Sequence, residues 1–237
     1  VYVAQASESA ISPVELERVE QVVFTGMHPA GLAGTHIKLL NPVNRKRRVW
    51  QIDCQDVIAI GALLQSGVLD VERVVSLAGP MVLEPRLVRT QAGASIDELT
   101  QSQLRLEKSA VHVVAGSVFA GRQGQWLNRF DTQVTVFAAR PRRGVLPSGP
   151  SSRTAFDTQP NTRGFVAEPR FEHVSPLCKL PVPFLRALLV GDIEIAEALG
   201  CLEFAGEDLE PHAYVCPAGN DYPAALKRCH ESLREAT

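Results

Sequence analysis

The stretch from residue 140 to 170 constrains the fold most, because it is dominated by Pro, Ser, Arg and Thr and has no apolar period on which to build a helix or strand. A segment of that kind has no place in a core and reads as an extended linker. It divides the domains read ahead of it from the helical domain read after it. Ahead of it, residues 1 to 84 alternate strand and helix signals. Val1 to Gln5, Glu20 to Thr25, Gly34 to Leu40, Val49 to Ile52 and Val74 to Leu77 read as extended, and Asp53 to Ser66 reads as a helix. That helix has Asp53 to cap it, Asp56 in its first turn and Gly67 to end it, with Ile52, Val57, Ile60, Leu63 and Leu64 on one apolar face. This is the patterning of a partial Rossmann-like α/β domain.

Residues 85 to 139 change character. Strand signals at Arg86 to Thr90, Ala110 to Ala115 and Gln133 to Ala138 surround a short capped helix at Ser95 to Leu99, with glycines between them. A short helix among strands in so little chain suits a ubiquitin-like β-grasp, with Leu87, Val111, Val113, Val134 and Val136 pointing inward. From residue 171 to 237 the periods are helical. Pro183 to Val190 ends at Gly191, Asp192 caps Ile193 to Leu199, and Asp221 with Pro223 opens a last helix. The expected fold class is thus α+β multidomain: a partial Rossmann-like domain (1–84), a β-grasp (85–139), a linker (140–170) and a small C-terminal α-helical domain (171–237).

Composition narrows the function classes. The 237 residues are 45% hydrophobic and 21% charged, enough for one large core or two to three small ones. A formal net charge of −2 and no Lys/Arg stripe interleaved with aromatics argue against nucleic acid as a partner. The basic run Arg45 to Arg48 follows Asn41-Pro42 and reads as a solvated hairpin turn rather than a site for phosphate or acidic lipid. The longest apolar runs, Val57 to Leu64 and Phe184 to Val190, fall well short of the ~18 residues of a membrane span, so no transmembrane segment is expected. Five cysteines at irregular spacing, with no secretory signal before them, argue for reduced thiols in the cytoplasm. The abrupt strand at Val1, without Met or a lead-in, reads as the start of a fragment.

Two groups of residues invite chemistry. Gly26 to His36 packs three glycines, a proline, His28 and His36 between flanking elements, a tight loop whose exposed amides suit a flat ligand or an anion. It has neither GxGxxG nor GxxxxGK[ST] spacing, and the competing reading is a turn that merely orients its histidines. Cys201, His212, Cys216 and His230 have the softness for zinc or an iron–sulfur cluster. Their separations of fifteen (201 to 216) and four (212 to 216) are not those of C-x₂-C, so inert buried thiols and no metal are expected. Cys229 falls with Leu226 and Leu233 on the apolar face of the last helix. Asp53, Asp56, Asp192 and Glu194 each sit at a helix start, where capping explains them more simply than acid/base work. Without GxSxG there is no support for a hydrolase, and no catalytic or cofactor-binding residue is assigned.

The segments HPAGLAGTHI (28 to 37), ALGCLEF (198 to 204) and YVCPAG (214 to 219) together resemble one family, the NqrA component of the sodium-translocating NADH:quinone oxidoreductase. LVRTQAGASIDEL with HVVAGSVFAG further resembles the soluble ligand-binding β-grasp (SLBB), a module also found in the flavin-binding component of respiratory complex I. The resemblance covers nearly all of this chain but roughly the C-terminal half of the family. It implies a peripheral component on the cytoplasmic side of the bacterial inner membrane. That component would be a scaffold and docking element without a cofactor of its own, within a complex that uses NADH and ubiquinone and exports sodium. The other subunits are the implied partners, with ubiquinone as a candidate ligand, and His28, Gly31, Gly34, His36, Cys201 and Cys216 as candidate ligand or subunit contacts. Many family members carry LCTFVCPG where this chain has Glu210-Pro211-His212-Ala213-Tyr214-Val215-Cys216-Pro217, a departure that removes one more sulfur. The rivals are a flavin- and NADH-handling module like the complex I flavoprotein, and a free-standing β-grasp that binds a small ligand.

Overall fold

A computed structural model describes residues 1–7, 9, 16–105, 111–119, 121–138, 165–175 and 178–235. Nearly all of the expected linker lies outside the described residues. The chain forms two compact units, Val1–Gln51 with Pro160–Thr237, and Ile52–Gln159.

The first unit opens with β1 (Tyr2–Ala6) and β2 (Glu20–Phe24), paired in parallel from Tyr2↔Glu20 to Ala6↔Phe24. Helix α1 (Ala33–Leu40) follows. By pattern its residues are expected to be extended, since Thr35 and Ile37 are β-branched and alternate with smaller or polar side chains. They form a helix instead, and it packs on the helical end of the same unit. Tertiary contact overrides propensity there. Val49–Ile52, also expected extended, forms no strand.

The helical end of this unit contains α4 (Arg170–His173), α5 (Pro181–Val190), α6 (Ile193–Ala198), a 3₁₀ turn (Cys201–Glu203), α7 (Gly206–Val215) and α8 (Tyr222–Glu235). The punctuation is as the sequence foretells. Gly191 takes the left-handed conformation after α5, Asp192 Oδ1 accepts the Ile195 N–H at 3.0 Å, and Asp221 Oδ1 accepts the Ala224 N–H at 2.9 Å. Phe171, Phe184, Leu185, Leu209, Tyr222 and Leu226 are its largest buried side chains. Among the described residues, no helix is long and apolar enough to cross a membrane.

The second unit contains α2 (Cys54–Ser66), β3 (Glu72–Ala78), β4 (Arg86–Gln91), α3 (Ile96–Thr100), β5 (Val111–Ala115) and β6 (Gln133–Ala138). The sheet runs β4-β3-β6-β5. Its two central strands are parallel and each carries an antiparallel partner at the edge, with α3 between the two hairpins in sequence. That is β-grasp topology. It begins at β3, a strand that the sequence pattern assigns to the preceding domain. Gly79 lets the chain turn away from β3, since a Cβ there would stand 2.1 Å from the Val136 carbonyl oxygen.

Register corrects the expected core. Val134 and Val136 are buried as expected, and Val111 and Val113 pack against the core. Leu87 is 73% exposed. Val88, not Leu87, lies opposite buried Val75, so Leu87 shares the outer face with Ser76. Helix α2 also departs from expectation. Asp53 caps it and Gly67 ends it as read, but its buried residues are Asp56 and Ala59, while Val57, Ile58, Ile60, Leu63 and Leu64 are exposed. Polar contacts hold the inner face. Asp56 is paired with both Arg73 and Arg129, and Gln55 exchanges hydrogen bonds of 2.8 and 3.1 Å with the Val74 backbone.

Candidate functional site

The His-Pro-Gly loop is built by ordinary turn chemistry. Gly26 supplies a φ of 128°, the His28–Pro29 peptide is cis, and successive turns bond the Ala30 N–H to Met27 O at 2.9 Å and the Leu32 N–H to Pro29 O at 2.8 Å. His36, on α1, reaches back so that Nε2 donates to the Ala30 carbonyl at 2.7 Å, and its ring stacks on Phe24 with centroids 3.9 Å apart. That fastens the loop to both α1 and β2. Met27, His28 and Gly31 remain exposed at the rim, and nothing lies within 4 Å of a Cβ built on Gly31.

Beneath the rim, α1 docks on the helical end of its unit. A Cβ on Gly34 would stand 2.5 Å from Asp208 Oδ2, so a larger residue there has to push that carboxylate aside. Glu207 neighbours Asp208, whose Oδ2 reaches back to accept the Ala205 N–H at 2.8 Å. Burial raises the pKa of both carboxylates. Gly34 and His28 oppose the rise at Glu207; Ala205, Lys38 and His28 oppose it at Asp208. One turn along α1, Lys38 pairs with Glu203 at 3.2 Å and lies 4.2 Å from the Phe204 ring centroid. Arg45, in a turn closed by Asn44 Oδ1, forms a two-pronged pair with Glu197.

The basic run is thus a turn, as read, with one arginine committed to an ion pair. Of the docking partners, Glu203 and Phe204 end the ALGCLEF segment, whereas Lys38 carries no mark in the sequence that singles it out. Gly34, flanked by Ala33 and Thr35, is the one signal that points to a close approach. Four of the six candidates, His28, Gly31, Gly34 and His36, lie on this loop and helix.

The remaining two, Cys201 and Cys216, lie on the 3₁₀ turn and at the end of α7, and they do not converge. Cys201 Sγ accepts from the Cys229 thiol at 3.8 Å, whereas Cys216 Sγ meets the Tyr222 hydroxyl at 3.4 Å. His230 Nε2 donates to the Cys201 carbonyl at 2.9 Å. His212 is buried against Phe171 and hydrogen-bonded to Ser175, and burial pushes its pKa down to about 4, with the Asp208 backbone opposing. The sequence offers no sign of the Ser175–His212 pair, whose members are 37 residues apart. Among the described residues no three or more His, Cys, Asp or Glu side chains gather where a metal ion could be held.

Comparison with known proteins places this architecture. Residues 1–69 match a family described as the NqrA second alpha/beta domain, and residues 74–125 match one described as the NqrA C-terminal domain. Similar proteins bearing the name of the A subunit of Na(+)-translocating NADH-quinone reductase include that of Cellvibrio japonicus, 42% identical over 96% of this chain and 56% of the relative. That of Haemophilus influenzae (strain KW20 / Rd) is 38% identical over 99% of this chain and 57% of the relative. That of Hahella chejuensis is 43% identical over 87% and 51%. The chain belongs to the NqrA family. It spans just over half the length of the NqrA relatives it matches. The first NqrA match takes in β1, β2, α1 and α2, and so contains the whole His-Pro-Gly loop; the second begins on β3, where the β-grasp sheet begins.

Proposed function

We propose that the chain is the C-terminal portion of a peripheral NqrA component of a sodium-translocating NADH:quinone oxidoreductase. It acts on the cytoplasmic side of the bacterial inner membrane as a scaffold and docking component without a cofactor of its own. The observation that carries the reading is identity of about 40% to proteins of that name across nearly the whole chain. The parallel β1–β2 pair supports a partial Rossmann-like domain, because parallel strands belong to α/β architecture. Dispersal of the cysteines and histidines onto separate partners supports a role without a cluster. NADH and ubiquinone are used by the complex as a whole.

Within that role the exposed rim of the loop, Met27, His28 and Gly31, is the contact with a neighbouring subunit or with ubiquinone. The α1–α7 interface is what holds it in place. The test is copurification of the full-length protein with membrane subunits after detergent solubilisation. A His28→Ala, Gly31→Glu variant with unchanged circular dichroism should copurify less well, and a photoreactive quinone analogue should label the loop if ubiquinone is the ligand. Undiminished copurification together with no labelling rules out the contact, and the absence of membrane partners even for the unaltered protein rules out membership of the complex.

A further inference from the structure

The dispersed cysteines include one close pair that the scaffold role does not use. Cys201 opens the 3₁₀ turn and is fully buried, Cys229 lies on the apolar face of α8, and their sulfurs are 3.8 Å apart. A disulfide needs about 2.0 Å, so the sulfurs must close by a little under about 2 Å. Access is one-sided. A cleft of about 280 Å³ is lined by Cys229, Arg228 and Ser232 of α8 together with Asp192 and the end of α5, and Cys201 does not line it. A molecule as small as a peroxide fits it and meets Cys229 first.

We infer that Cys201 and Cys229 form an oxidation site, which a hydroperoxide converts into an intrachain disulfide tying the 3₁₀ turn to α8. Cys229 sulfur attacks one peroxide oxygen, the O–O bond breaks, and with hydrogen peroxide the leaving oxygen departs as water, leaving a sulfenic acid. Cys201 sulfur then attacks that sulfur. The S–O bond breaks, a second water leaves with the remaining thiol proton, and the S–S bond forms. Two thiols are oxidised and one peroxide is reduced to two waters. Burial pushes the Cys201 pKa up to about 12 and raises that of Cys229, so thiolate is scarce at neutral pH. The reaction is therefore slow at pH 7 and accelerates with pH. The turn that becomes tethered also carries Glu203, the partner of Lys38, so oxidation locks the platform on which α1 rests.

The experiment uses the whole chain with exposed Cys54 replaced, Cys54→Ser, which leaves four of the five thiols. After hydrogen peroxide the folded protein should lose about 2 Da by intact mass, and its remaining thiols are then alkylated in denaturant. Peptide mapping should find Cys201 joined to Cys229, and alkylatable thiols should fall from four to two. Dithiothreitol should restore them, and the rate should rise roughly tenfold per pH unit between pH 7 and 9. Cys201→Ser and Cys229→Ser in the same background should each give no link. The inference is overturned if all four thiols stay alkylatable, if Cys229 goes to sulfinic or sulfonic acid without a link, or if the link involves Cys178 or Cys216. A link that forms only in urea also overturns it.

Discussion

His212 and Glu210 sit two residues apart on α7, and burial moves their pKa values in opposite directions. His212 is held at about 4, below its ordinary 6.5. Between those values the unfolded chain binds the proton and the folded chain does not, so stability is present above pH 6.5 and falls as pH drops toward 4. Glu210 is raised to about 7 by burial and by Asp221. The folded state holds its proton where the unfolded state has lost it, so that contribution is present below about pH 4.5 and is lost as pH rises through 7. The trends oppose each other in the wild type and separate in variants. His212→Gln should remove about 3 kcal/mol of acid-side loss in urea titrations between pH 7 and 4. Glu210→Gln should stabilise the protein at pH 8 relative to pH 5 by on the order of 1 kcal/mol, the full shift being cut by partial solvation. Gly34→Ala tests the close approach of α1 to Asp208. It should cost about 1–2 kcal/mol, and less in an Asp208→Ala background, where the obstructing carboxylate is gone.

At the scale of elements, two apolar stretches that look alike in sequence have different fates. Val134 and Val136 on β6 are buried because β6 is a central strand with a neighbour on each side. Leu63 and Leu64 on α2 are exposed because the face of α2 turned to the unit carries Asp56, committed to Arg73 and Arg129. Val136→Asp should therefore cost several kcal/mol, through an unpaired charge in the core. Leu64→Glu, on a side chain 81% exposed, should change stability by less than about 0.5 kcal/mol. Thermal denaturation of the two variants side by side decides between this arrangement of α2 and the sequence expectation, under which both would be severe.

At the scale of the molecule, the unit boundary predicts the effect of truncation. Ending the chain at Ala198 removes the 3₁₀ turn, α7 and α8, and with them Leu209, Tyr222, Leu226 and the Lys38 and Gly34 partners of α1. Residues 1–51 should then lose their protection along with the helical end, while residues 52–138 keep a sheet whose core lies entirely among themselves. Limited proteolysis with mass mapping should leave a fragment near 52–138. Survival of 1–51 in the truncated protein would show that β1, β2 and α1 stand without the helices.

What the sequence determined by itself was local. Asp53, Ser95, Asp192 and Asp221 are legible as caps because the amides they accept from lie two or three residues away, and Gly67 and Gly191 as terminators because their left-handed φ is a local demand. The β-grasp is legible from strand spacing, and the loop from its glycines and histidines. What only the tertiary structure decided was long-range: that β3 heads the β-grasp sheet, that AGTHIKLL is helical, that Asp56 is a buried ion-pair partner rather than a dipole charge, and that Cys201 meets Cys229 while Cys216 meets Tyr222. In each of these the deciding partner is distant in sequence or belongs to another element. A free energy set by such a partner leaves no trace in the spacing of neighbouring residues.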